Sequence, residues 1–303
     1  MRSKLAYRKK KPNKKPWCVL AAAALLLLAA GIALGVLKPE RKPRDEGKLA
    51  VHFLDVGQGD AVFIAFPDGK TMLVDAGEEG CGSGIVNYIK RAGYEHIDCL
   101  VATHPHSDHI GGMAYVIRNM DVKAVYMPAV TTTTECFENL LFAVQEKGLR
   151  VKKGEAGVKP INADGVSAEI IAPVTLDGDN LNNSSVVLRI TYRSNSFLLS
   201  GDAGTDEMDS IVGDISADVL KVGHHGSSSA TDQALLQRIS PQIAVISCGS
   251  NNEYGHPHRE VLRDLKKAGC EVYRTDRDNT VIITSDGSEL AVRTAGSIWR
   301  NTE

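Results

Sequence analysis

Thr103-His104-Pro105-His106-Ser107-Asp108-His109 puts four metal-capable side chains within six residues, three of them drawn from a chain with only nine histidines. The segment closes the apolar run IDCLVAT and is followed at once by Gly111-Gly112, where the missing side chains let a helix pack close behind the loop. The fold must therefore present a ligand-bearing loop at the end of a buried strand, with a helix directly after it. His104 and His106, at i and i+2, can converge on one cation. Asp108 and His109 can point to a second on the far side of the turn. Nitrogen and oxygen donors of this kind bind zinc at about 2.0–2.2 Å. A merely solvated polar loop has no need to cluster ligand types at ligand spacing.

The rest of the body reads as the scaffold for such a loop. LAVHFLDVG, DAVFIAFPDG and KTMLVDAG form three expected strands in a meander, with Pro67-Asp68-Gly69 turning between the last two. A helix from Ser83 to Ala92, the strand IDCLVAT, a helix over 110–119, the strand VKAVYMP and a helix over 135–147 complete a first half. The second half runs through the strands VSAEIIAP and SSVVLRITYRSNSFLLSGD to a helix near 204–212. ADVLKVG then leads into HHGSS, followed by a helix over 230–239, the strand QIAVIS and a helix over 257–268. CEVYRT, TVIITS and ELAVRT close the sheet. Two similar halves of interleaved strands and helices predict an α/β architecture of paired sheets flanked by helices. Each cluster of chemically suspicious residues falls just after a strand, where α/β folds place their sites.

The net charge of −2, from 35 Lys+Arg and 37 Asp+Glu, conceals two opposite ends. Eight bases and no acid precede Trp17, whereas residues 48–303 hold 23 basic and 34 acidic side chains, a net of −11. Between the two lies Cys18–Leu37, 20 residues without a charge. At 1.5 Å per residue that length crosses a hydrocarbon core of about 30 Å. The basic flank predicts a cytoplasmic N-terminus. A cleaved signal peptide, with secretion, is the alternative; its apolar region usually runs about 7–15 residues to a small-residue site, unlike Val36-Leu37-Lys38-Pro39. The expected organisation is a basic cytoplasmic tail (1–17), a single-pass transmembrane anchor (18–37), a Pro-rich charged linker (38–47) and an extracytoplasmic catalytic domain (48–303) in the cell membrane. Five cysteines in the body, at Cys81, Cys99, Cys136, Cys248 and Cys270, show neither a CxxC pair nor a regular framework, so no disulfide is required.

HPHSDHIGG resembles the HxHxDH motif of the metallo-β-lactamase fold. LVDAG, with Asp75, resembles that fold's first motif, and Leu199-Ser200-Gly201-Asp202 resembles the strand end that carries a metal-bridging aspartate. KVGHHGS resembles its final histidine motif. More narrowly, HFLDVGQGDA, NNSSVVLRI, LLSGDA, LKVGHHGSSSAT and YGHPH are similar, in order, to the hydrolase domain of the ComEC-like competence channel branch. The likeness covers residues 49–295 and implies a four-layer αββα sandwich.

That resemblance implies two divalent metal ions, Zn or Mn. His104 and His106 take one, Asp108 and His109 the second, and Asp202 bridges them. His224 closes the second site, with His225 beside it as the alternative ligand. The wider fold supplies a third histidine to the first metal, yet none lies between His109 and His224 here. Water or Asn183 is the candidate replacement, which tilts the choice toward manganese. A carboxylate-bridged pair of cations about 3.5–4 Å apart implies hydrolysis by a metal-activated hydroxide, with Asp108 in a catalytic role. His256 is a candidate proton donor to the leaving oxygen or a phosphate contact, and His258 a support for it or a cap for the next helix; a polar helix start with Pro at the first turn is the bland alternative. Asp60, in the DVGQGD turn, and Ser227, after the histidine pair, complete the expected surroundings.

The function these features imply is a membrane-anchored metal-dependent phosphodiesterase or nuclease acting on single-stranded DNA or nucleotides, with no obligate protein partner evident. A metallo-hydrolase of another ester, a lactone, phosphorylcholine ester or β-lactam, is the second expectation. A non-catalytic DNA-uptake binding module is the third. The acidic body suits long DNA poorly, since DNA binding relies on bases that track phosphates. Arg189, Arg193, Lys221 and Arg259 are the local bases expected to line a groove.

Overall fold

Alternation of side chains along the strands decides how this chain layers. The computed structural model describes Asp45, residues 47–163 and residues 165–298, all within the unit Pro43–Glu303 that internal contacts delimit. The expected tail, anchor and most of the linker lie outside the described residues. Among those that are described, no helix is long and apolar enough to cross a membrane.

The first half contributes β1 (Leu49–Phe53), β2 (Val62–Ala65), β3 (Thr71–Val74), β4 (His96–Ile97), β5 (Cys99–Val101), β6 (Asp121–Val122), β7 (Val125–Met127) and β8 (Val151–Lys153). The second contributes β9 (Ile161–Ala163), β10 (Val166–Ala172), β11 (Val187–Tyr192), β12 (Asn195–Leu199), β13 (Val219–Lys221), β14 (Ile243–Ile246), β15 (Glu271–Arg274), β16 (Thr280–Ser285) and β17 (Leu290–Ala295). One sheet runs β17-β16-β1-β2-β3-β5-β7-β8 and the other β15-β14-β13-β12-β11-β10-β9, with β4 and β6 as a separate small pair.

Along β1, Leu49, Val51 and Phe53 face the space between the sheets while Ala50 faces outward, the period of two that a pleated strand imposes. Along β14, Ile243 and Val245 face inward while Ala244 and Ile246 face outward. Three apolar cores result. One lies between the sheets. A second joins the first sheet to helices Gly82–Ala92, Met113–Asn119 and Glu135–Glu146 through Ile85, Val116 and Leu140. The third joins the second sheet to helices Thr205–Ser210, Gln233–Ile239 and Arg259–Lys267 through Met208, Leu236 and Leu265. Helices outside two facing sheets give the expected α/β layering, and burying each large aliphatic chain contributes about 1.5–3 kcal/mol.

Two features depart from the expected order. The closing strands do not stay together: β15 pairs in parallel with β14, but β16 crosses to lie antiparallel to β1. A one-turn helix, Thr275–Asp278, makes the corner, where Arg274 is tied to Asp276 and Asp278. The expected helix over 110–119 is broken into Ser107–Ile110 and Met113–Asn119, because Gly111 and Gly112 pack against the backbone of Glu78 and Ala76.

In the centre of each sheet β3, β5 and β7, or β12, β13 and β14, run parallel. Asp75 follows β3, Thr103 and His104 follow β5, Asp202 follows β12, and the histidine pair follows β13. Carboxyl ends of strands from both sheets therefore meet at one edge of the sandwich.

Candidate metal centre

The Asp202 carboxylate is the meeting point. It is buried, and its backbone N–H is held by Ser185 Oγ at 3.3 Å. Its Oδ2 lies 3.9 Å from His104 Nε2, 3.3 Å from His109 Nε2, 3.7 Å from His224 Nε2 and 3.5 Å from His225 Nε2. Four imidazoles from two segments, the loop after β5 and the turn after β13, thus address one oxygen. The other oxygen, Oδ1, faces Lys221 Nζ at 4.0 Å.

On one side, His104 Nε2 and His106 Nδ1 face each other at 2.9 Å. On the other, Asp108 Oδ2 lies 3.1 Å from His225 Nε2 and 3.8 Å from His109 Nε2. The left-handed turn Gly223–Gly226 produces the split between the last two histidines. His224 (φ 47°) and His225 (φ 54°) both adopt a conformation costly for residues with a side chain, and they leave the chain in different directions. His225 is 2% exposed and its Nδ1 hydrogen-bonds Ser247 O at 3.0 Å, so Nε2 is the free nitrogen. His224 is more open and its Nδ1 sits 3.5 Å from Ser229 Oγ.

Asp75 and Thr103 orient the ligand loop from behind. Asp75 accepts from Thr103 N at 2.8 Å and Thr103 Oγ1 at 2.7 Å, and its Oδ2 lies 2.7 Å from His109 Nδ1. Thr103 Oγ1 also touches His104 Nδ1 at 3.1 Å. Asp60 enters from the Gly-rich turn after β1: its N–H donates to Asp108 O at 3.1 Å, and its carboxylate pairs with buried Lys221. Gly59 is obligatory there, since at φ +128° a Cβ would stand 2.3 Å from Asp108 O.

Electrostatics follow from this crowding. Burial disfavours charge on Asp108 and Asp202, but the neighbouring His109 and His225 outweigh it and hold both carboxyls below the usual range. Burial and the nearby His109 push His104 down. His109 and His225 are raised despite burial, by Asp202 together with Asp75 or Asp108.

Orphaned buried atoms test whether a cation fits. His109 Nε2, Asp202 Oδ1 and Asp60 Oδ1 are buried without a hydrogen-bond partner, and His109 Nε2 points into the cluster. The groups His104–His109–Asp202 and Asp108–His109–His225 each bring their donor atoms within 4.8 Å of one another. Imidazole and carboxylate donors suit Zn and Mn alike, so the residues present fit divalent cations.

His256 stands over the cluster, its ring centroid 5.5 Å from that of His224 and 6.4 Å from that of His225. Partial burial and the adjacent histidines push it down to about 4, so it is neutral at pH 7 and offers an N–H rather than an imidazolium. Pro257 seats the segment by packing on Gly226.

The remaining expected residues surround this cluster: the His258 ring packs against that of His256, with centroids 4.8 Å apart. The Asn183 amide accepts from Gly204 N, two residues from Asp202 along the chain, at 3.2 Å and donates to Asp177 at 3.4 Å. Ser227 Oγ pairs with Ser229 Oγ at 3.0 Å, inside the loop. His258 starts helix Arg259–Lys267 without a side-chain cap; its Nδ1 instead accepts from Ser228 N at 3.1 Å. Lys221, expected at a groove, is 1% exposed, and its Nζ donates to Gly201 O at 3.1 Å. Arg189 is turned to Ser216 O and Asp214. Thr103, Ser185 and Lys221 are the supporting residues that motif reading did not find. A lysine inside the otherwise apolar VLKV was the one signal available. The five body cysteines are free thiols, and burial pushes Cys81 and Cys248 up to about 12.

Residues 54–250 match the family described as the metallo-β-lactamase superfamily. ComE operon protein 3 of Bacillus subtilis (strain 168) is 31% identical over 251 residues, which cover 76% of this chain and 32% of that protein. Competence protein ComA of Neisseria gonorrhoeae is 31% identical over 281 residues, covering 86% of this chain and 37% of its own. The chain therefore spans roughly a third of the length of these curated relatives. Among solved structures, CmlA, a diiron β-hydroxylase from Streptomyces venezuelae, shares the fold with a TM-score of 0.50 at 15% identity, over 82% of this chain and 58% of that one. With its ligand loop, paired sheets and sequence relatives in agreement, this chain belongs to the metallo-β-lactamase superfamily, as a metallo-hydrolase-fold protein whose homologues are ComEC-like competence proteins.

Proposed function

We propose that the chain is a membrane-anchored, extracytoplasmic phosphodiesterase that holds two divalent metal ions and acts on single-stranded DNA or nucleotides. The observation that carries this reading is the single oxygen, Asp202 Oδ2, within 3.9 Å of His104, His109, His224 and His225. A buried carboxylate addressed by both the histidine loop and the histidine turn would suit two divalent cations held beside it. His104, His106 and His224 serve the first position, so His224 stands in for the third histidine that the sequence lacks. Asp108, His109 and His225 serve the second. Divalent cations bound there supply an activated water and neutralise phosphoryl oxygens.

The chain's own residues do the rest. Asp75 fixes the proton of His109 on Nδ1 and frees Nε2 for the cluster. Ser247 O does the same for His225. Asp108, held as a carboxylate, stands 3.1 Å from His225 Nε2 and is placed to accept a hydrogen bond from a water at the mouth of the cluster. His256, neutral and overhanging the cluster, donates its N–H to a non-bridging phosphoryl oxygen and steers the leaving group toward solvent. Buried Lys221 and Asp60 exclude water from the floor.

The purified chain assayed with single-stranded DNA, bis-p-nitrophenyl phosphate and nitrocefin, each with Zn or Mn, tests the reading. Hydrolysis of the two phosphodiesters is expected. Nitrocefin turnover without phosphodiesterase activity would overturn it in favour of a different ester or lactam, and metal binding with no turnover of any substrate would favour a binding module.

A further inference from the structure

The segment Tyr254-Gly255-His256-Pro257-His258 carries an aromatic side chain that hydrolysis does not use. Tyr254 is 66% exposed, yet it is not loose: its ring lies nearly parallel to that of His256, with centroids 5.6 Å apart and 23° between the planes. Gly255, at φ +71°, supplies the reversal that brings residues two apart into a stack. Asn252 clamps the loop by accepting from His256 N at 2.9 Å and donating to Gly249 O at 2.9 Å and His256 O at 2.6 Å. His258 N donates to Gly226 O at 2.9 Å, which ties the same segment to the histidine turn. Tyr254, His256 and His224 thus form a train of rings leading from solvent to the metal cluster.

An exposed tyrosine fixed in this way offers a flat face at no further cost in side-chain entropy. Asn251, Asn252 and Glu253 precede it in the chain, so this exposed segment offers one ring and no run of apolar side chains. A protein partner needs a wide apolar surface. A single flat ring matches another flat ring.

We infer that Tyr254 is a stacking platform for one nucleobase of the substrate, next to the phosphate that the metal cluster holds. The inference rests on the phosphodiesterase reading and adds the residue that holds the nucleoside beside the phosphorus. Base stacking tolerates every base, because each has a π-face, so the platform selects nucleotides over simple phosphodiesters without reading sequence. It also gives an acidic body a hold on nucleic acid that needs no basic groove.

The test compares three p-nitrophenyl esters with the same leaving group: thymidine 5′-(p-nitrophenyl phosphate), methyl p-nitrophenyl phosphate and p-nitrophenyl phosphorylcholine. In Tyr254→Ala the ratio of kcat/KM for the thymidine ester to that for the methyl ester is expected to fall about 5- to 150-fold, the value of one base–aromatic stack. Tyr254→Phe, which keeps the ring, is expected to retain the ratio. An unchanged ratio in Tyr254→Ala overturns the platform, as does an equal fall in Tyr254→Phe. A fall confined to the phosphorylcholine ester overturns it in favour of a quaternary ammonium held by the ring. Failure of the unaltered chain to hydrolyse any of the esters removes the phosphodiesterase reading instead. Calorimetric affinities for thymidine 5′-monophosphate against inorganic phosphate then decide the platform by the same ratio.

Discussion

Asp75 Oδ2 stands 2.7 Å from His109 Nδ1, and this contact decides which nitrogen of His109 is turned toward Asp202. Removing it leaves every metal-facing side chain in place but frees the His109 ring to rotate. Asp75→Ala is therefore expected to weaken metal binding about 10- to 100-fold, the usual cost of losing such a supporting carboxylate. Competition with a chromophoric chelator reads the affinity, and circular dichroism checks the fold. Unaltered affinity in a folded Asp75→Ala protein would mean that packing alone holds the ring.

The two adjacent histidines are expected to separate by metal content. His225 Nε2 lies 3.1 Å from Asp108, whereas His224 Nε2 approaches Asp202 at 3.7 Å and is the more open of the two. Titration of the unaltered chain with Mn is expected to saturate at two equivalents. His224→Ala and His225→Ala are each expected to retain one tight equivalent, and the double variant none. Two full equivalents in His224→Ala would return the first position to His104, His106 and water.

What could be read in advance divides along physical lines. Candidate ligands local to one loop, such as His104 and Asp108, were legible because ligand spacing along a loop is written in the chain itself, whereas Asp202 was marked only by its likeness to a family motif. β1 and β14 were legible as short apolar runs bounded by turns. Such a run tells that a strand is buried, but not which sheet the strand joins, so the return of β16 to β1 could not be read. β8 and β9 were also invisible, being three residues each and polar or exposed. Asn183 was marked as an added ligand or neighbour of the site from the motif alone; that its amide oxygen accepts from Gly204 N is a contact only the folded loop reveals. Lys221 escaped because its partner, Asp60, lies on a loop of the other sheet.

That Lys221–Asp60 pair has a definite cost when broken. Both side chains are buried, and the Lys221 ammonium stays charged because Asp60 and Asp202 outweigh the burial that would discharge it. Lys221→Met strips Asp60 of its buried ammonium partner while Asp202 stays close by. A loss of about 3–5 kcal/mol is expected. The double variant Lys221→Met with Asp60→Asn removes the stranded charge and is expected to recover part of it. Urea midpoints of the metal-free proteins measure both. Equal losses in the single and double variants would show that shape, and not charge, holds the floor of the cluster.

His52 sets the last expectation, far from the metal ligands. Its ring is buried against Phe63 and Tyr88, with Nδ1 2.8 Å from Tyr88 Oη and Nε2 3.4 Å from Asp45. Burial lowers its pKa and prevails over the Asp45 carboxylate, which acts to raise it. Between the depressed folded value and the unfolded value of about 6.5, the unfolded chain binds the proton that the folded chain refuses. Stability is thus unaffected by His52 above about pH 6.5 and falls as the pH drops through that window, by about 1.4 kcal/mol per pH unit. His52→Gln, which cannot take up a proton in either state, is expected to flatten the upper part of the acid limb. Denaturant midpoints at half-unit steps from pH 7 to about pH 5 compare the two proteins. Parallel limbs would mean that His52 is protonated in the folded state, with the Asp45 contact strong enough to offset burial.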